Sequence, residues 1–438
     1  MKRILLIASL CFSCLTCPAQ LLDRIKNRVE QKVVDQVDHS IDKAMQKKKN
    51  KDSTGVSAKT ETDEGKPANQ EADVPAAATT AHTDQPVNAA KQTPADITAY
   101  SRFDFVPGEK IIIHEDFSQD AIGDFPANWN TRSGADIVNI AGTAGKWLRL
   151  NQDGVFYPEY LNSALPDNFT LQMDLIGNKQ LANIGEFMIS LMQASDTDQK
   201  FALGEANQVS APSFKITFQP TSSDKGSLNY SSNLIGSQHK YGVPEFNSNK
   251  NQVKISIWRQ KQRVRVYLDS TKVLDLPRAL NAAEPLNSLV FAADNPDFDQ
   301  KGGAFFIGNI QLAVGAADTR NKLLSEGKFT THGINFGVNS DKVPPPSYGS
   351  LKEIAQVLQE NASLRVRIIG HTDSDGSETD NETLSKHRAE AVKEALIANF
   401  SIDASRLETD GKGQTQPIDS NETVVGKANN RRVEFIKL

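Results

Sequence analysis

Between Gln46 and Asp96 the chain contains no Leu, Ile, Phe, Trp, Tyr or Met. A segment with nothing large to bury cannot offset the entropy of ordering its backbone, so residues 51–100, rich in Ala, Thr, Asp, Gln, Lys and Pro, are expected to form a disordered linker. Such a linker has a mean span of about 40 Å. This gap decides the organisation of everything else. The part before it is too short to build a core, and the part after it is long enough for two domains.

The short N-terminal part reads in two pieces. Lys2 and Arg3 precede an apolar run, Ile4 to Leu15, that is too short to span a bilayer. Residues 1–19 therefore read as a signal peptide cleaved after Ala19. All three cysteines (Cys11, Cys14, Cys17) lie within it, which leaves no disulfide framework in the remainder. A lipid-carrying cysteine is the alternative, with Ser13 before Cys14 the best match to the small residue that lipidation requires. Leu22, Ile25, Val29, Val33, Val37, Ile41 and Met45 then recur every three or four residues, so residues 20–50 are expected to form an amphipathic helix. Its apolar stripe suits self-association, and its Lys-rich end (Lys47 to Lys49, Lys51) suits an anionic membrane surface.

From 103 to 315 the pattern is β. Short alternating runs recur at Lys110–His114, Trp147–Leu150, Phe169–Leu175, Phe187–Met192, Phe214–Phe218, Val253–Trp258, Arg263–Leu268 and Phe305–Leu312, separated by Gly, Asn, Asp, Pro and Ser. So many strands without intervening helical patterns predict an all-β sandwich. The motifs EDFS (115–118), FPANW (125–129), FTLQMDL (169–175), the hairpin from Val253 to Pro277 and the closing FFIGNIQL (305–312) resemble the concanavalin A-like, laminin-G-like jelly roll. An outer-membrane barrel is an alternative architecture, but the runs are short and lack clear aromatic girdles.

A polar connector, residues 316–332, leads into a last domain at 333–438. There a short strand is expected at His332–Phe336 and a helix over Ser350–Gln359. A strand through Leu364, Val366 and Ile368 should end in Gly370-His371-Thr372-Asp373. A second helix is expected from about Asn381 to Asn399, and a closing strand at Arg432–Ile436. This is a small α+β domain. Arg388 lies on the edge of the second helix's apolar stripe, and Asp373 lies where a strand enters a loop. A carboxylate and a guanidinium so placed suit either a zwitterionic ligand or an internal salt bridge with each other.

The stretches GINFGVNSDKVPPPSYGSLKEIAQVL, GHTDSDGSETDNETLSKHRAEAVKEAL and GKGQTQPIDSNETVVGKANNRRVEFI resemble the OmpA-like domain throughout, including T-D-x-x-G-x(4)-N-x-x-L-S-x-x-R-A and the N-R-R-V-E ending. The resemblance implies binding of the meso-diaminopimelate of the peptidoglycan stem peptide. Asp373 would take its amine and Arg388 its carboxylate. Asn381 would order the loop or meet the peptide, and Arg431 would be a further contact. Lys427, where Arg is common, and the second loop acid, Asp375, depart slightly from the pattern.

Together these readings describe a multidomain, non-enzymatic envelope protein of a Gram-negative cell, periplasmic and associated with the wall and outer membrane. It would need no cofactor or metal, and its jelly-roll sandwich would bind glycan or an envelope protein. The seven histidines show no metal-ligand spacing; His371 and His387 would support the loop and helix near the wall site. A net charge of −5 offers nucleic acid no general attraction. A wall-tethered glycan hydrolase is the enzymatic alternative, but Asp174 and Glu186 each lack the acidic partner such catalysis needs. Trp258 is the candidate glycan contact, with Trp129 and Tyr267 as further aromatics.

Overall fold

The computed structural model describes residues 103–438 apart from 162, 182–184, 223, 297–301 and 316–318. The expected signal peptide, amphipathic helix and linker lie outside the described residues.

Two antiparallel sheets make up the β region. The larger runs β13 (Thr271–Leu276), β12 (Arg263–Leu268), β11 (Gln252–Gln260), β6 (Asn168–Gly177), β15 (Phe305–Val314), β4 (Lys146–Leu150) and β3 (Ala135–Asn139), with β1 (Lys110–Glu115) also paired to β15. The smaller runs β10 (Gly236–Val243), β9 (Gly226–Ser232), β8 (Ser213–Pro220), β7 (Glu186–Met192), β14 (Ser288–Asp294), β5 (Gly154–Pro158) and β2 (Trp129–Thr131). Alternation assigns the faces: Val253, Ile255 and Ile257 of β11 and Phe187, Ile189 and Leu191 of β7 join one buried core. Both sheets end in edges and fill the space between them with Phe, Leu and Ile, the reverse of a membrane barrel's outward apolar band. Contrary to the expectation of a stretch without helices, Thr197–Gly204 is helical, capped by Asp196. Its Phe201 packs on the outer face of the smaller sheet with Tyr157, Met188 and Val290.

The outer face of the larger sheet carries the residue that alternation places opposite the core, Trp258. It is not exposed. Phe103, Phe105 and Val106 lie across it as a strap and bury Trp258 and Tyr267 beneath them. Phe105 meets the Trp258 ring edge-on at 6.1 Å, and Asp104 accepts the Tyr267 hydroxyl at 2.9 Å. Trp129 is also buried, stacked on Phe291. The exposed ring face that sugar stacking requires is therefore absent at all three aromatics.

The last domain is a four-stranded sheet in the order β16 (Lys328–Thr331), β19 (Val433–Lys437), β17 (Val366–Gly370), β18 (Leu407–Gly411). Helices Tyr348–Glu360 and Glu378–Phe400 close its core through Leu351, Ile354, Leu358, Ala389, Val392 and Leu396. The expected strand at His332–Phe336 does not form. The strand lies earlier, at Lys328–Thr331, where Phe329 pairs with Phe435 across the sheet. Ile334 and Phe336, which suggested the strand, pack on the same core from a loop. The sheet thus begins inside the expected connector, of which Thr319–Glu326 is helical.

The sandwich and this domain touch directly. The Asn429 side chain accepts from the Ile111 amide and donates to its carbonyl, both at 3.0 Å, as a neighbouring strand would. Ala428 packs on Ile111 and Ala313, and Lys322 pairs with Glu109. A Cβ at Gly349 would fall 2.0 Å from the Phe105 carbonyl, so the strap presses on the start of helix Tyr348–Glu360 at a point where only glycine fits.

Candidate functional site

Strand β17 delivers the chain to a loop, His371–Ser377, which ends at the helix Glu378–Phe400. Gly370 makes the close approach: a Cβ there would sit 2.2 Å from the Ser385 carbonyl of that helix. Ser377 caps the helix by accepting from the Asp380 amide at 3.1 Å. The Asn381 amide then ties the loop down, donating to the carbonyls of Asp373 (3.3 Å) and Asp375 (2.9 Å) and to Gln414 (2.8 Å).

Asp373 is held on this loop and is only 7% exposed. Its Oδ1 accepts the Asp375 amide at 3.1 Å, and its Oδ2 accepts Arg431 Nη1 at 2.5 Å. Arg388, three turns into the helix, does not bond Asp373. Its Nε donates to the Ser340 carbonyl (3.0 Å) and its Nη2 to the Gly337 carbonyl (3.1 Å), while the guanidinium lies 5.0 Å from the Phe336 ring centre. Burial lowers the Arg388 pKa, against the opposing field of Asp373. The internal salt bridge open at the level of sequence is therefore made, but by Arg431 rather than Arg388. One carboxylate faces a bonded guanidinium and the field of a second. That arrangement offers a cationic group a place at Asp373 and an anionic group a place at Arg388.

Behind the loop lies a charged cluster that the sequence did not disclose. Arg432 donates through Nε (2.9 Å) and Nη2 (2.8 Å) to Glu434, which also pairs with Lys328 at 2.9 Å. Burial opposes ionisation of Glu434, but His371, with Nε2 at 3.6 Å, and the ion pairs with Lys328 and Arg432 outweigh it and hold the carboxyl well below the usual range. His371 is 2% exposed and its pKa is lowered, chiefly by burial, so the imidazole is neutral scaffolding under the loop. His387 is exposed on the helix. The two departures from the motif answer each other: Lys427 pairs with Asp375 at 2.6 Å. A cavity of about 560 Å³ lined by Glu109, Lys322, Lys328, His332 and Asn429 occupies the junction with the sandwich; Asp373, Asn381, Arg388 and Arg431 do not line it.

Residues 335–431 match the family model described as the OmpA family. Among similar proteins, "Probable lipoprotein YiaD" of Escherichia coli is 43% identical over 102 residues, covering 23% of this chain and 46% of that protein. "Outer-membrane lipoprotein YfiB" of Pseudomonas aeruginosa is 39% identical over 103 residues, covering 24% of this chain and 61% of that protein. A solved peptidoglycan-associated lipoprotein from Burkholderia pseudomallei is 25% identical, covers 28% of this chain and 98% of that one, and superposes with a TM-score of 0.24. The likeness is confined to about a quarter of this chain, and the chain spans less than two thirds of either curated relative. On the strength of that quarter, the C-terminal domain of this chain is an OmpA-like domain.

Proposed function

We propose that this chain is a non-enzymatic cell-envelope protein that holds peptidoglycan non-covalently through its C-terminal domain and presents the β-sandwich as a binding module. The observation that carries this is a nearly buried Asp373 whose field reaches Arg388 without a bond between them, on an OmpA-like loop and helix. The ligand is the diaminopimelate of the stem peptide. Its ammonium replaces part of the charge that Arg431 supplies to Asp373, and its carboxylate takes the donors of Arg388. Asn381 holds the loop in register for both. The names of the similar proteins, outer-membrane and peptidoglycan-associated lipoproteins, support a place in the periplasm beside the wall and outer membrane. Two antiparallel sheets around one core support a concanavalin A-like class for the sandwich. With Trp258, Trp129 and Tyr267 covered, its partner is recognised by something other than these three rings.

The test is co-sedimentation of the full chain with diaminopimelate-containing sacculi. Asp373→Ala and Arg388→Ala should each cost about 2–5 kcal/mol of binding, because one charge of a partly dehydrated pair is left alone. Wild-type sedimentation by both variants would show the site to be elsewhere.

A further inference from the structure

The contact that joins the two folded parts nearest the wall site is made by one sandwich residue. His114 stands at the end of β1, on the sheet face opposite the core residue Ile113. Its Nε2 lies 3.3 Å from Arg431 Nη2, while Nη1 of the same guanidinium holds Asp373 Oδ2. An arginine beside a carboxylate favours a two-bond, fork-on-fork pairing that occupies both oxygens. Arg431 makes a single bond to Asp373 because its second terminal nitrogen is turned to His114. Since an N–H of Arg431 donates, Nε2 must present a lone pair and Nδ1 must carry the proton. Burial, with the charges of Arg431 and Lys254 and against that of Asp116, pulls this imidazole down to about 4, so the accepting form is the one present at neutral pH. The placement is rigid. Ile111, three residues before His114, is bonded on both sides of its peptide by Asn429, two residues before Arg431.

We propose that the sandwich sets the wall affinity of the C-terminal domain through His114, a positioning residue that keeps Arg431 singly bonded to Asp373 and so leaves carboxylate lone pairs for the ammonium of the stem peptide. The inference rests on the reading of Asp373 and Arg388 as the wall-binding pair and adds a second domain to that site. Without His114, Arg431 closes both nitrogens on Asp373 and competes with the ligand's ammonium.

The experiment is sacculus co-sedimentation of full-chain variants, with thermal midpoints measured in parallel. His114→Leu should weaken binding by about three- to tenfold, the range expected for coupled neighbours. His114→Gln, whose amide oxygen can accept from Arg431, should restore most of it. In an Arg431→Ala background His114→Leu should have no further effect. Arg431→Lys, which keeps the charge but cannot close two bonds on Asp373, should bind near wild type and make His114→Leu without further effect, which decides the matter if His114→Leu lowers the midpoint. Loss of binding in Asp373→Asn alongside wild-type binding in His114→Leu overturns this inference and leaves the wall-binding reading standing. An equal effect of His114→Leu with and without Arg431 also overturns it. Wild-type binding by Asp373→Asn and Arg388→Ala overturns both.

Discussion

Lys215 stands on β8 directly opposite Ser190 of β7, on the face of the smaller sheet that the helix Thr197–Gly204 covers. It is 1% exposed, bonded to Ser190 Oγ at 3.1 Å and to the Leu203 carbonyl at the end of that helix. Burial lowers its pKa to about 7 from an ordinary value of 10.5. The sign follows from proton counts. Between pH 7 and 10.5 the unfolded chain binds the proton that the folded chain has lost, so stability rises with pH there and the penalty is fully present below 7. Relative to Lys215→Met, the wild type should gain stability from pH 7 to 10, by at most about 1.4 kcal/mol per pH unit. Denaturant melts of both proteins across that range would show it, and parallel curves would mean that Lys215 keeps its charge. The same scale separates the candidate site residues. Asp373, Asn381 and Arg388 were legible in the motif, whereas the bond from Arg431 to Asp373 joins residues 58 apart and follows from the closure of the sheet.

Among the elements, the strap Phe103–Val106 departs furthest from what its sequence suggested. Four residues at the edge of the described chain insert two phenylalanines between the larger sheet and the C-terminal domain. Phe105→Ala should cost about 3–5 kcal/mol, the usual range for a buried phenylalanine. It should also open Trp258, the tryptophan on the outer sheet face that the strap covers, to solvent. Acrylamide quenching and a red shift of the emission would report this; unchanged quenching with the lost stability would mean that the strap recloses without Phe105. The strands themselves were unevenly legible. Those at the centre of each sheet, such as β6, β7, β8 and β11, alternate strongly because one face meets the full core. The terminal strands β3, β13, β10 and β2 bury fewer side chains, and β10 (GSQHKYGV) buries only Val243. Their pattern is correspondingly weak.

At the scale of the whole molecule, the decisive feature is the junction between sandwich and wall domain. The Asn429 amide substitutes for a strand partner at Ile111, bonding both backbone groups of that buried residue. Asn429→Ala leaves an N–H and a C=O without partners, each worth about 1–3 kcal/mol when buried. Scanning calorimetry should show one transition for the wild type and two for this variant, as its domains lose their coupling. One undivided transition at an unchanged midpoint would show that Glu109–Lys322 and the apolar contact of Ala428 suffice. Coupling of this kind ties the sandwich to the segment that carries Arg431 through bonds and contacts close to that residue.

Local composition and periodicity carried a great deal here. The apolar-free stretch, the alternation of β11 and β12 and the helical stripes of the C-terminal domain depend only on neighbours in sequence, because burial of one face imposes a period on the chain. The wall motif was legible for the same reason: loop, cap and helix that place Asp373, Asn381 and Arg388 span a single short segment. Three matters were decided by tertiary structure alone. Trp258 alternates outward, yet a strap from more than 150 positions earlier covers it. Asp373 finds Arg431 rather than Arg388, because β19 brings the chain's end beside β17. His114 reaches Arg431 across 317 positions, since β1 docks on the helix Val424–Asn430. Contacts so distant in sequence leave no period in it. They depend on which surfaces exclude water together, and the surfaces do not exist until the domains have folded.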